Sequence, residues 1–369
     1  AADATMLQDL GDALGTGPSR LLQGRLPGTD VVAWLLDAPA LFDRDGGPYL
    51  DAAGHDHPDN ALRFGLLGRV GALLPHLGPA LGWTPEVVHA HDWQAALAPA
   101  HLALWGGRRP GTVLSIHNLR FQGRFDPSIL PAVGLPQSSY AVDGVECYGT
   151  ASFLKGGIYY ADRVSTVSPT YAREIQEQVG GEGLHGLLHA RASHLHGLVN
   201  GIDDELWNPA TDRALAARYD ARQLSKRAIN KAALQRRMGL REDPRVPLVG
   251  WVSRLTEQKG VDLLLGALER LLARGAQIAV VGTGDGALEQ ALEQAALANP
   301  EQFGFFRGYD ERLSRAVFGG ADLFAVPSRF EPCGLTQLYA LRYGAIPVVR
   351  STGGLRDTVP DVNDDGVGF

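Results

Sequence analysis

The stretch V-P-L-V-G-W-V-S-R-L-T-E-Q-K-G-V-D-L-L-L-G-A-L-E-R-L-L-A-R-G-A-Q-I-A-V-V-G-T-G-D-G, residues 246–286, decides the fold. Residues 246–253 form an apolar run that ends in a polar turn, the pattern of a buried strand. Residues 261–272 carry leucines at helical spacing, and 277–281 is a second buried strand, so the three pieces make one βαβ unit. The same alternation continues downstream, with strands at 304–307, 322–327 and 346–350 and helices near 287–298, 311–318 and 334–343. Upstream, strands are expected at 31–37, 87–89, 112–117 and 163–167, with helices near 60–77, 93–105, 152–161 and 170–178. A polar stretch at 200–243 separates the two series. The expected class is therefore α/β, with two doubly wound domains facing a cleft and a boundary near 200–205. The halves are residues 1–204 and 205–369.

Composition narrows the function. The 369 residues are 45% hydrophobic and 20% charged, with a net charge of −7. That balance holds no basic excess for nucleic acid or an anionic membrane surface. Apolar runs such as 31–36 fall far short of the roughly 20 residues that span a bilayer. Cys147 and Cys333 are the two cysteines, which excludes a disulfide scaffold and points to a reducing, cytoplasmic setting. Residues 1–15 lack a basic start and an apolar core, so no signal peptide is read there. The absence of an initiator Met suggests a trimmed chain or a fragment. The 46 Gly and 22 Pro fit many tight strand-to-helix turns.

Ligands of open α/β sheets sit beyond the carboxyl ends of the strands, so the turns after each strand are the informative positions. The turn S-R-L-T-E-Q-K-G (253–260) places Arg254 and Lys259 before a helix start, either as a diphosphate clamp or as two solvated surface cations. The turn G-T-G-D-G, from Gly282, allows close backbone approach to a phosphate or nucleoside and equally suits a plain tight turn. In S-R-F-E-P-C-G-L-T-Q-L-Y (328–339), Glu331 reads as an uncompensated carboxylate for sugar or ribose hydroxyls, or as an acid at a helix N-terminus. Cys333 is either a reactive thiol or a small packing residue. The S-T-G-G-L turn (351–355) offers consecutive N–H groups as an anion nest. In the first series, Asp92 with Trp93 and His117 with Asn118 follow two strands and suit a sugar; Asp92 as a helix N-cap and His117 as a core histidine are the competing readings. His185, His189, His194 and His196 mimic metal-ligand spacing, but no Cys or carboxylate cluster completes a site. D-V-N-D-D-G (361–366) resembles a calcium loop without its closing Glu and reads as a turn.

Together these turns resemble the bacterial glycogen synthases and plant starch synthases, retaining glucosyltransferases with two Rossmann-like domains (GT-B type). The matching strings are H-A-H-D-W (89–93), H-N-L (117–119), S-F-L-K-G-G (152–157), Y-Y-A-D (159–162), V-S-P-T-Y-A-R-E-I (167–175), N-G-I-D (200–203), S-R-L-T-E-Q-K-G (253–260), P-S-R-F-E-P-C-G-L-T-Q-L-Y (327–339) and T-G-G-L-R-D-T-V (352–359).

The resemblance implies glucose transfer from ADP-glucose to the non-reducing end of an α-1,4-glucan. By that likeness Arg254 and Lys259 hold the diphosphate, Tyr309 stacks on the base, and Glu331 binds the donor ring. Backbone N–H groups from Cys333, Gly334 and Leu335, with Thr336, Gly282, Asn118 and Asn200, complete the nucleotide-sugar site. Asp92 and His117 orient the glucose. No metal or other cofactor is expected, because the two cations neutralise the leaving group. The second glutamate that often stands eight positions after the first in this fold class is Tyr339 here. The family's first strand with its Lys-Thr-Gly-Gly-Leu loop has no counterpart before Ala1, its final helices have none after Phe369, and His57 stands where relatives carry Tyr. Both absences suggest a fragment. The alternatives are a related GT-B transferase using UDP-glucose and an inactive glucan-binding paralogue.

Overall fold

The computed structural model describes residues 4–364 and Gly368. The chain forms two compact units, residues 1–166 with 172–196, and residues 167–171 with 197–369.

The first unit opens with β1 (Thr5–Gly11), β2 (Ser19–Arg25) and β3 (Val32–Asp37), an antiparallel meander in that order. This corrects the expectation that 31–37 joins a parallel sheet. β1 and β2 were not anticipated, because Thr5 is their sole β-branched residue and no alternation marks them. Their apolar side chains, with Leu36 and Trp34 of β3, pack on Leu66 and Val70 of α1 (Asn60–Leu81). β4 (Val87–His91) and β5 (Gly111–Ile116) are joined by α2 (Leu97–Trp105). Three short strands, β6 (Arg124–Phe125), β7 (Glu146–Cys147) and β8 (Thr150–Ser152), form a small antiparallel sheet before α3 (Phe153–Tyr160). β9 (Arg163–Thr166) and β10 (Leu195–Gly197) complete a four-stranded sheet of order β10-β9-β5-β4. Parallel pairing of His91 with Ser115 brings the carboxyl ends of β4 and β5 side by side.

The second unit contains α4 (Arg227–Arg237), inside what reads in sequence as a polar connection. Its periodicity is hidden because the buried face is largely polar. Lys231 Nζ bonds Asp322 Oδ2 at 2.6 Å and two backbone carbonyls, and Gln235 reaches Gln277 at 2.7 Å. β11 (Leu248–Val252), α5 (Val261–Ala273), β12 (Gln277–Gly282), α6 (Gly286–Ala298), β13 (Phe303–Arg307), α7 (Glu311–Gly320), β14 (Leu323–Val326), α8 (Thr336–Tyr343) and β15 (Ile346–Val349) follow the expected alternation. The sheet is parallel throughout, in the order β13-β12-β11-β14-β15. The central strands β11 and β12 are covered on both faces. Leu248, Ala279 and Val281 pack with α4, α7 and α8, whereas Val249, Trp251, Ile278 and Val280 pack with α5 and α6. Among the described residues no helix is long and apolar enough to cross a membrane.

Candidate active site

In the second unit the chain runs from β11 outward through β12 and β13, then returns past β11 to β14 and β15. The order reverses between β11 and β14, the switch point at which open α/β sheets bind ligands. A cavity of about 200 Å³ opens there, lined by Trp251, Ser253, Arg254, Lys259, Ser328 and Thr336. Arg254 is exposed and, among the described residues, makes no ion pair. Lys259 sits at the end of a 3-10 turn, and its Nζ lies 2.6 Å from Glu331 Oε2, which also accepts a 2.9 Å bond from Ser328 Oγ. Glu331 is therefore not the uncompensated carboxylate read from sequence. It is buried against a lysine from a turn 72 positions earlier in the chain, a pairing that local sequence cannot reveal. The two turns are strapped together by Gln258 Nε2 to Phe330 O and by Arg329, which grips Asp262 with two bonds of 2.7 and 2.6 Å.

Two glycine-rich turns serve packing. A Cβ on Gly282 would lie 2.3 Å from the carbonyl of Ser253, and one on Gly284 would meet Leu255 O at 2.3 Å, so these glycines let the β11 and β12 turns touch. The N–H of Gly284 and the hydroxyl of Thr283 donate to Glu289 Oε1, which holds the turn closed. The Ser351–Leu355 turn is not an open nest. Gly354 N donates to Glu331 O and Pro332 O, and Leu355 N to Thr352 O.

Helix α8 begins at Thr336 rather than Gly334, after Gly334 turns through φ +74°. Its cap residue, Leu335, supplies no side-chain acceptor, and the N–H groups of Cys333, Gly334 and Leu335 make no hydrogen bond among the described residues. Free donors at a helix start favour an anion. Cys333 is buried, which pushes its thiol up and disfavours a reactive thiolate, while the backbone N–H of Asn200 partly offsets this. Asn200 thus stands beside the Glu331 loop. Tyr309 follows β13 and is 76% exposed, its ring available for stacking. Tyr339 stacks on Trp207 at 3.8 Å and is occupied in packing.

In the first unit, Asp92 and His117 do come together. Asp92 has φ +52°, the left-handed region that non-glycine residues seldom occupy. That conformation turns its carboxylate back, and Oδ1 accepts the backbone N–H of His117 at 2.7 Å. Burial pushes the Asp92 carboxyl up, against the opposing effect of the N–H groups of His117 and Asn118. Asp92 does not cap the following turn, and that competing reading is set aside. The Asn118 carboxamide closes its own turn by accepting Arg120 N at 3.1 Å. His117 is half-buried and bonded through its ring to His91, a partner that sequence reasoning did not single out. A second cavity of about 410 Å³ in this unit is lined by His57, Asn60, Trp93, Phe121, Arg124 and Glu182 among others.

The histidines at 185, 189, 194 and 196 form no metal site among the described residues. His185 opens a short helix, His185–Ala190, and among the described residues no group of three or more His, Cys, Asp or Glu converges on a metal site. Asp361 Oδ1 accepts Asn363 N, a simple turn, and residues 365–366 of the calcium-like string lie outside the described residues.

The arrangement of sheets and strand-end turns is that of a GT-B glycosyltransferase. Residues 10–190 match the family described as starch synthase catalytic domain, and residues 246–367 match glycosyl transferases group 1. The chain is 52% identical over 356 residues to a glycogen synthase of Rhodospirillum rubrum, covering 96% of this chain and 73% of the relative. It is 54% identical over 348 residues to a glycogen synthase of Granulibacter bethesdensis, covering 94% and 72%. The chain belongs to the glycogen synthase family. Among solved structures, the catalytic domain of starch synthase IV from Arabidopsis thaliana, bound to ADP and acarbose, matches with a TM-score of 0.85 and 33% identity, over 98% of this chain and 74% of that one.

Proposed function

We propose that the protein transfers glucose from ADP-glucose to the non-reducing end of an α-1,4-glucan with retention of the α configuration. The observation that carries this reading is the cavity at the β11/β14 switch point, with Arg254 and Lys259 on its wall. An ammonium has three donors, and Glu331 takes one from Lys259, so two remain for a diphosphate. Glu331 also fixes the direction in which Lys259 points. The free N–H groups of Cys333, Gly334 and Leu335 supply further neutral donors beside the cavity. With two fixed cations on the departing ADP, the reaction needs no divalent metal. EDTA is expected to leave the initial rate unchanged, and a rate restored only by added Mg²⁺ would contradict the proposal.

Asp92 and His117 are proposed to orient the transferred glucose, with Asn118 and Asn200 as further contacts and Tyr309 on the adenine. Tyr339 is engaged with Trp207 and is no nucleophile, so departure and attack on one face, with the leaving phosphate helping to take the acceptor proton, is the favoured route. The cavity beside Trp93 and Phe121 pairs aromatic faces with hydrogen-bonding groups, the surface a glucan requires. The deciding assay compares ADP-glucose and UDP-glucose with glycogen as acceptor in the full-length protein. Preferential incorporation from ADP-glucose is expected. Preference for UDP-glucose, or glucan binding without transfer from either donor, would overturn the proposal.

A further inference from the structure

Three histidines stack along one edge of the first unit. The rings of His89 and His91 lie 4.3 Å apart at 30°, and those of His91 and His117 lie 5.2 Å apart at 29°. The order follows from strand geometry. His89 and His91 are two positions apart on β4 and share a face, and His117 follows β5, the parallel neighbour. Within the stack, His91 Nδ1 lies 2.9 Å from His117 Nε2. His89 Nε2 is 2.7 Å from Ser115 Oγ, which is 2.5 Å from Ser165 Oγ. Partial burial lowers the basicity of His89 and His91. Neighbouring imidazoles add to that effect, and at His91 the Asp92 carboxylate opposes it. Between two neutral rings a short N···N contact requires one nitrogen to donate and the other to accept. The contact therefore ties the tautomer of one ring to that of the other.

We infer that His91 is a positioning residue for glucosyl transfer: its hydrogen bond to Nε2 holds the His117 ring in one orientation, ties its tautomer to that of His91, and leaves Nδ1 as the nitrogen that meets substrate. This rests on the reading of His117 as a group that touches the donor sugar. The backbone of His117 is fixed separately, through its N–H to Asp92 Oδ1. Main chain and ring are thus set by two adjacent residues of one strand end. Without the His91 contact the His117 ring has no other hydrogen bond among the described residues and can turn about its side-chain bonds.

The test uses two substitutions that separate stacking from hydrogen bonding. His91→Phe keeps a flat ring in the stack and removes Nδ1. His91→Asn discards the ring and keeps a polar atom near the Nδ1 position. His91 is exposed, so both variants are expected to fold. The Phe variant should show kcat lowered roughly tenfold, the size of one lost hydrogen bond, with KM for ADP-glucose unchanged, and the Asn variant should recover most of that loss. The reverse pattern, Phe active and Asn impaired, would assign His91 to packing and overturn the inference. His117→Ala is measured alongside. If it retains full activity, the functional reading of His117 fails. If it is impaired while His91→Phe matches the parent, only the positioning role fails.

Discussion

At the scale of single residues, the site combines groups with opposite structural demands. Arg254 is exposed and makes no ion pair among the described residues, so Arg254→Ala should leave the melting temperature unchanged and lower kcat/KM by about 10- to 100-fold, the loss of one charge-assisted contact in the transition state. Lys259 differs, because removing it strands the buried Glu331 carboxylate. Lys259→Ala should therefore lower activity and also destabilise the fold by about 3–5 kcal/mol, read by urea denaturation beside the Arg254 variant. Equal melting curves for the two would show that the ion pair contributes nothing to stability. Asp92 supplies a third case. Asn tolerates φ near +52° and accepts the same backbone N–H, so Asp92→Asn should keep the fold while lowering kcat. An Asn variant with full activity would remove the carboxylate from the proposed chemistry.

Elements add constraints that no single site residue carries. Helix α2 buries His101 completely, with neither ring nitrogen partnered among the described residues. Burial, aided by the Arg69 charge, pushes the His101 pKa down to about 4, so the folded state holds the ring neutral. The unfolded chain binds that proton near pH 6.5. Between those values the unfolded state carries more protons, and folding free energy must fall as pH drops from about 6.5 toward 4, by about 3 kcal/mol at the limit. Unfolding in urea at pH 7 and pH 4.5 should show this loss in the parent and a clearly smaller one in His101→Leu. An identical pH response in both would reject it.

At the scale of the whole molecule, the chain crosses between units more than once. Residues 167–171 belong to the second unit although the residues on both sides belong to the first. Asp357 holds the crossing segment. It accepts Ser168 Oγ at 2.5 Å, Thr170 N at 2.9 Å and Thr170 Oγ1 at 2.6 Å. Asp357→Ala leaves those donors unsatisfied and should destabilise the second unit by about 2–4 kcal/mol. Amide exchange should then quicken in β11 and stay unchanged in β5. Uniform acceleration in both sheets would mean that the two units open together. The architecture at this scale was largely legible beforehand. The five parallel strands of the second unit and the turns after them fall where apolar runs and glycines place them, because strands buried on both faces, as β11 and β12 are, must be apolar throughout. The N-terminal meander and α4 were not legible, since neither writes its burial as an apolar period. β1 and β2 carry a single β-branched residue, Thr5, and α4 buries Lys231 and Gln235 through hydrogen bonds.

Sequence alone determined the alternation of strands and helices, the position of Arg254, Lys259, Glu331, Asp92 and His117 at strand ends, and the family resemblance that those turns carry. Each is a property of local pattern, and a strand end stays a strand end whatever packs around it. Tertiary structure alone decided which of these groups are free. It paired Lys259 with Glu331, closed the glycine turns on neighbouring backbone, turned Asp92 onto the His117 amide and set His91 against the His117 ring. Those contacts join residues about 25 to 70 positions apart. They depend on strand order and on a few ångströms of approach between loops, which no local pattern of residue types encodes.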